Sequence, residues 1–395
     1  MRRMRYWPHV LTLCAGLLGS VVQAAAPVGT GPLRGTGDLG IAVERASGSL
    51  LWLDTSSRSV LGRIEGLGDL SHASAVFSRD ARHAFVFGRD GGLTKVDLLT
   101  GQIVKRIIQS GNAIGGAISQ DGRLIAAANY TPGGVKFFDA ETLELVSEIP
   151  TGAKVVGLED TTGNRFVFSL WDSGETWLAD LSQDPRQPQI TRYTDIGKNP
   201  YDALISPDGR WYVAGLYGEN GIAVLDTWHP EKGVRRALPD YGRGEEKLPV
   251  FKMPHLETWA MVGNLAFIPG VGRHEVVIVD VSTWTQLGVI PVAGQPVFVM
   301  AQPDGRRLWV NFAFPHYDTV QVIDVPSQRI VQTLKPGKAV LHMEFTPRGE
   351  QVWLSVRDGN RLEIYDTARF TRLGELPAQS PSGIFFTPRA HRFGL

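Results

Sequence analysis

The sequence predicts an all-β protein, a single eight-bladed β-propeller of four-stranded antiparallel blades. Three observations carry the prediction. An apolar strand that closes on an aspartate, then a polar turn and a second apolar strand, recurs eight times, at Asp54, Asp97, Asp139, Asp180, Asp226, Asp280, Asp324 and Asp366. Neighbouring aspartates lie 41 to 54 residues apart, the length of one propeller blade. Between the hairpins runs a second landmark, SRDAR, SQDGR, SPDGR, QPDGR and TPRGE, with Gly163 and Gly263 in degenerate copies. Asp-Gly turns between apolar runs make tight hairpins.

In chain order, MRRMR is a basic leader, residues 10–22 (VLTLCAGLLGSVV) form a short apolar core, and Val22-Gln23-Ala24 suits signal peptidase. The expectation is a signal peptide over 1–24, an N-terminal extension over 25–38, and an exported, periplasmic propeller over 39–395. Thirteen apolar or small residues are too few to span a bilayer comfortably. Cys14, the sole cysteine, lies inside the leader. A lipid anchor on it is the alternative to simple cleavage, although Leu13 is larger than the small residue usual at that place. Without Cys14 the chain has no disulfide, thiolate metal site or C-x-x-C-H for covalent haem.

Each unit reads as four strands. In the second copy they fall at about 73–78, 84–88, 93–97 and 102–108. The last strand, GIFFT at 383–387, supplies the inner strand of a blade whose other strands come from 39–64, so the two ends close the ring and no sheet edge is left free. Residues 238–254 form an insertion that suits a loop over one face. The 395 residues are 43% hydrophobic, ample for a large core, and 40 basic residues balance 40 acidic ones. A chain without basic excess is disfavoured as a nucleic-acid binder. No G-x-S-x-G, H-E-x-x-H or P-loop is present, and the GRDGG of 88–92 is a turn rather than a phosphate cradle.

In a propeller the innermost strand lines the channel, and strands alternate in direction. Residues entering the inner strand therefore share a face with the turn between the second and third strands. Entries supply His72, Tyr201, His255, Gln295 and His342; turns supply Arg45, Arg89, Asn129 with Tyr130, Trp171, Tyr217, Phe312 with His316, and Arg357. A concave mouth lined by aromatics with a few polar groups is a ligand site by default. Singly, His316, His342, Trp171 and Arg357 read as solvated or packing residues. His72 and His255 with Arg45 and Arg89 form a more specific set, because histidine ligates iron and arginine pairs with carboxylates. An iron tetrapyrrole bearing carboxylates needs both, and flat aromatic walls besides.

At these residues the chain resembles a known group. GDLSHASAVFSRDARHAFVFGRDGGLTKVDL, with YTPGG (130–134), MPHLETW (253–259) and AGQP (293–296), is similar to the haem d1 domain of dissimilatory nitrite reductase. The opening LRGTGDLGIAVERASGSL and the lack of a c-haem domain resemble specifically the NirF family, which acts in haem d1 biosynthesis in the periplasm of denitrifying bacteria. The resemblance implies that His72 is the proximal iron ligand and that Arg45 and Arg89 hold the tetrapyrrole carboxylates. It implies that His255 is the first of two distal histidines, a catalytic acid or base. The second distal position is Val297, and the arginine after it is lost. A pocket with half its acid pair should hold the macrocycle but reduce nitrite poorly.

The expected function is binding of haem d1 or its dihydro-haem d1 precursor at the mouth, in late cofactor maturation or delivery to nitrite reductase. Asn129, Tyr130, Tyr201 and Gln295 would frame the macrocycle, and His72 would be the metal ligand. Partners implied are nitrite reductase and other haem d1 maturation proteins; a homodimer is compatible with the sequence. An enzyme that alters a peripheral substituent through His255, and a cofactor-free protein-interaction propeller, are the competing readings.

Overall fold

The computed structural model describes residues 35–242 and 259–394. The leader with Cys14, residues 25–34 and residues 243–258, which hold His255 and most of the insertion, lie outside the described residues. Thirty-two strands form eight four-stranded antiparallel sheets, and among the described residues the only helices are short 3-10 turns. In blade 2 the strands run Ser74–Phe77, His83–Phe87, Gly92–Asp97 and Gln102–Ile108, each within a residue or so of the expectation. Blades 3 to 8 follow in chain order, inner strand first.

Blade 1 is built from both ends. Its inner strand is Pro381–Phe386, hydrogen-bonded to Leu39–Glu44, followed by Ser49–Asp54 and Ser59–Ile64. Gly40 pairs with Phe386 and Ile41 with Phe385 in register.

The eight aspartates recur because each has the same local task. At the end of the third strand the carboxylate accepts backbone N–H groups two or three residues on: Leu99 to Asp97 at 2.8 Å, Glu141 to Asp139 at 3.0 Å, Ser182 to Asp180 at 2.9 Å, Ser282 to Asp280 at 2.7 Å and Ala368 to Asp366 at 2.9 Å. This side-chain turn shapes the hairpin to the fourth strand. Arginines from the other hairpin reinforce it, as in Arg82–Asp97 (2.7 Å) and Arg210–Asp226 (2.8 Å).

The strands next to the inner one are buried on both faces, as in Leu39–Glu44, whereas fourth strands such as Gln102–Ile108 are largely exposed. Apolar residues therefore interleave between blades. Ile41, Val43 and Leu50 of blade 1 pack with Phe77, Val86 and Val96 of blade 2, and Trp353 and Leu362 of blade 8 pack with Ala42, Leu51 and Phe386 of blade 1. At roughly 25 cal/mol per Å² of apolar surface removed from water, these contacts between blades dominate the stability.

The C-terminal segment packs at the end where the inner strands finish. Arg389 makes a buried ion pair with Glu344, Arg79 Nη1 donates to the Ala390 carbonyl at 2.7 Å, and the Gly394 N–H donates to Asp160 Oδ1 at 2.9 Å. Burial pushes the Asp160 carboxyl up to about 6. A cavity of about 370 Å³ remains beside this segment, lined by Glu159, Ile205, Trp259, Gln302, Phe345 and Phe393 among others. It lies at the opposite end from His72 and the arginine turns.

One test follows from the hairpin aspartates. Burial raises the Asp97 carboxyl, but Arg82 and the Leu99 and Thr100 N–H groups outweigh it and hold the pKa below the ordinary 3.8. The stabilisation is therefore present above the unfolded-state pKa and lost as pH falls through the folded one. Asp97→Ala is expected to cost about 2 kcal/mol at pH 7 in urea unfolding. The difference from wild type should shrink below pH 4.

Candidate functional site

The mouth is organised by one repeated backbone hydrogen bond. In six blades an N–H at the exit of the second strand donates to a carbonyl at the entry of the inner strand. The pairs are Arg45 to Ser380 (3.3 Å), Arg89 to Asp69 (2.9 Å), Trp171 to Lys154 (3.0 Å), Tyr217 to Asn199 (2.9 Å), Ala313 to Gln295 (2.9 Å) and Arg357 to Ala339 (3.0 Å). These donors occupy equivalent places around the ring. Blades 8, 1 and 2 present Arg357, Arg45 and Arg89; blades 4 and 5 present Trp171 and Tyr217.

Just inside, the inner strands bulge. In blades 5, 7 and 8 two residues stand opposite one of the second strand, between Pro200 and Ala203, Pro296 and Val299, and Val340 and Met343. A bulge re-aims side chains, and here it involves Tyr201 with Asp202, Val297 with Phe298, and Leu341 with His342. Second-strand side chains take the freed N–H groups. Asn311 Oδ1 accepts from Phe298 at 2.8 Å while its Nδ2 donates to the Val340 carbonyl at 2.8 Å, and Ser355 Oγ accepts from His342 at 2.8 Å. In blade 2 the entry from Asp69 to Ser74 is longer still, and His72 stands exposed on it.

The basic side of the mouth is tightly drawn. An Arg45 Nη2 donates to the Ser71 carbonyl, one residue from His72. Burial lowers the proton affinity of Arg45, and the charges of Arg357 and Arg89 lower it further against the attraction of Asp69. Asp69 is held below the usual carboxylate range, first by the Ser71 hydroxyl and N–H and then by Arg89 and Arg45. Asp90, in the same turn as Arg89, pairs with Arg106 instead.

The aromatic side faces blades 4 and 5. Trp171 meets Tyr201 edge-on at 5.5 Å and Tyr217 at 5.2 Å, with Tyr201 and Tyr217 6.1 Å apart. Tyr130, at the end of Leu124–Thr131, shares a hydrogen bond with Tyr201. Burial, with the nearby Asp202 charge, pushes Tyr201 up to about 12 and Tyr130 higher. Both phenols stay protonated at ordinary pH and act through hydrogen bonds, not as bases.

The structure thus brings His72, Arg45, Arg89, Tyr130 and Tyr201 to one face. Gln295 enters there on blade 7; its carbonyl serves Ala313, and its Oε1 is buried without a hydrogen-bond partner among the described residues. The Asn129 amide is spent differently, exchanging hydrogen bonds with Gln109 (2.8 and 3.2 Å) and receiving the Ser110 hydroxyl. His342 is buried, and its Nδ1 accepts from the Ile384 N–H at 3.2 Å. Arg357 and Trp171, read from sequence as ordinary surface or packing residues, take the same ring positions as Arg45 and Tyr217. The signal that finds them is the repeat register, which places all four at the same turn. Among the described residues no group of three or more His, Cys, Asp or Glu could hold a bare metal ion.

A propeller with this mouth falls in the cytochrome d1 haem domain class, and the model of the family described as Cytochrome D1 heme domain matches residues 34–390. Protein NirF of Pseudomonas aeruginosa is 62% identical over 396 residues, covering 98% of both chains. The dihydro-heme d1 dehydrogenase of the same organism is 30% identical over 332 residues, covering 79% of this chain and 64% of the relative. Among solved structures, dihydro-heme d1 dehydrogenase NirN in complex with DHE superposes with a TM-score of 0.78 at 24% identity, over 90% of this chain and 76% of that one. The chain belongs to the NirF family.

The bulge in blade 7 depends on Asn311. Asn311→Val leaves the Phe298 N–H and the Val340 carbonyl unpaired in the core, at an expected cost of about 3 kcal/mol. Urea unfolding monitored by tryptophan fluorescence reads that loss.

Proposed function

We propose that the protein acts in haem d1 biosynthesis, binding haem d1 or its precursor dihydro-haem d1 at the arginine-bearing mouth. There it serves late maturation of the cofactor or its delivery to nitrite reductase, in concert with other maturation proteins in the periplasm. The observation that carries the reading is the division of the mouth, with arginines on blades 8, 1 and 2 and clustered aromatics on blades 4 and 5. A flat, anionic macrocycle needs both walls: arginine forks for its carboxylates and ring faces for its plane.

In this reading Arg45 and Arg89 hold carboxylates. Arg45 is oriented by the Ser71 carbonyl, and Arg89 is held at its backbone by Asp69. His72, on the detour between them, would supply an imidazole to the iron. The Tyr130–Tyr201 phenol pair offers hydrogen bonds to polar substituents without releasing a proton. By the resemblance, His255, outside the described residues, would serve as the distal acid or base, and the second distal position falls on Val297, on the blade 7 bulge, whose side chain does not titrate. Affinity to NirN, whose structure is described as a complex with DHE, supports the choice of ligand.

The purified protein, mixed anaerobically with dihydro-haem d1, is expected to shift the ligand's visible spectrum, and His72→Ala to abolish the shift. Arg89→Gln should weaken binding about tenfold. The mass of the extracted ligand then assigns the role. An unchanged mass supports custody and delivery; a changed mass, with conversion slowed in His255→Ala, makes the protein an enzyme. No spectral shift in the wild type overturns the tetrapyrrole reading.

A further inference from the structure

We infer that Arg357 is a third carboxylate-binding residue of the mouth, forming with Arg45 and Arg89 one cationic arc over blades 8, 1 and 2. The arc takes one edge of a rigid polycarboxylate ligand. This inference rests on the proposed tetrapyrrole site and adds to it a residue and an orientation.

The geometry is repeated rather than coincidental. Arg357 donates its backbone N–H to Ala339 just as Arg45 does to Ser380 and Arg89 to Asp69, so the three side chains leave equivalent points of adjacent blades. The turns of blades 8 and 1 are also stapled together. The Asn360 N–H donates to the Arg357 carbonyl at 3.1 Å, and Asn360 Oδ1 accepts the Ser380 N–H at 2.9 Å, while Ser380 holds Arg45.

Other arginines of this region are already committed. Arg361 pairs with Glu363 and Glu375, and Arg372 with Glu363. On the opposite face, Arg82, Arg210 and Arg306 serve hairpin aspartates. Among the described residues Arg357 uses only its Nε, on Asp358 Oδ1 at 2.7 Å, and its side chain is 37% exposed. That contact steadies the guanidinium and leaves its two Nη groups to donate.

Three guanidinium groups near enough to feel one another's charge repel. At Arg45 burial lowers the proton affinity first, and the charges of Arg357 and Arg89 lower it further. Of the nearby acids, Asp90 pairs with Arg106 and Asp358 with Arg357, which leaves Asp69 to face the arc. Anionic groups of a ligand relieve this excess, and a ligand with carboxylates along one rigid edge relieves it at several points at once. Such a ligand binds with that edge over blades 8, 1 and 2 and its plane toward Trp171, Tyr201 and Tyr217.

The test compares the full protein with Arg357→Gln, Arg357→Lys and the opposite-face control Arg348→Gln. Each is titrated by absorbance with dihydro-haem d1 and with its methyl-esterified form. Arg357→Gln is expected to weaken binding of the free acid about tenfold and to flatten its salt dependence. Arg357→Lys should recover part of the loss, because it keeps the charge but not the fork. With the ester, wild type and Arg357→Gln should bind alike, and Arg348→Gln should match wild type throughout. Wild-type affinity of Arg357→Gln for the free acid, or an equal loss on the ester, overturns the assignment. If the wild type shifts neither spectrum, the tetrapyrrole reading itself falls and takes this one with it.

Discussion

At the mouth of six blades a backbone N–H leaving the second strand meets a carbonyl entering the first, and the functional face depends on that hydrogen bond. It fixes the point from which each turn side chain departs, so residues far apart in sequence become equivalent around an axis. Inside it, the inner strand is free to take two residues where its partner takes one. Asn311 and Ser355 satisfy the N–H groups so displaced, since an unpaired buried N–H would cost about as much as a bulge could gain in placing a side chain.

The fold was legible because its landmarks are local. An aspartate that caps its own hairpin must recur once per blade, and an Asp-Gly turn reports a tight reversal whatever surrounds it. The strands of blade 2 and the closure by residues 381–386 followed from those marks. The shared face was legible where turn position could be read from the repeat, as at His72, Arg45 and Arg89. Arg357 sits at the same position, yet a lone arginine in a turn is ordinarily solvated. Its company becomes visible only once blade 8 lies beside blade 1. Asn129 illustrates the reverse. It adjoins Tyr130, but neighbours on a strand face opposite ways, and its amide is spent on Gln109 and Ser110. The bulges left no mark in composition, because a change of register alters no residue type.

A chain with no net charge can still present a strongly polarised surface. Here the hairpin turns of one face pair their arginines with their own aspartates, whereas on the other face Arg357, Arg45 and Arg89 leave neighbouring blades and the acids of blades 4 and 5, Asp172 and Glu219, pair with Lys154 and Arg236. Aromatic rings on blades 4 and 5 complete that face without adding charge, and the buried phenols beside them hold their protons. The asymmetry resides in position rather than in composition, which is why counts of acidic and basic residues conceal it.

The seam of the ring runs through blade 1, where Pro381–Phe386 joins Leu39–Glu44, and the cationic arc straddles it. A ligand gripped by arginines of blades 8, 1 and 2 engages the closed ring and not the parted one. By mass action its binding free energy is then added to the cohesion of the two chain ends. Under the proposed function, loading and ring closure would be linked equilibria, with the ligand acting as a clasp across the seam between Pro381–Phe386 and Leu39–Glu44.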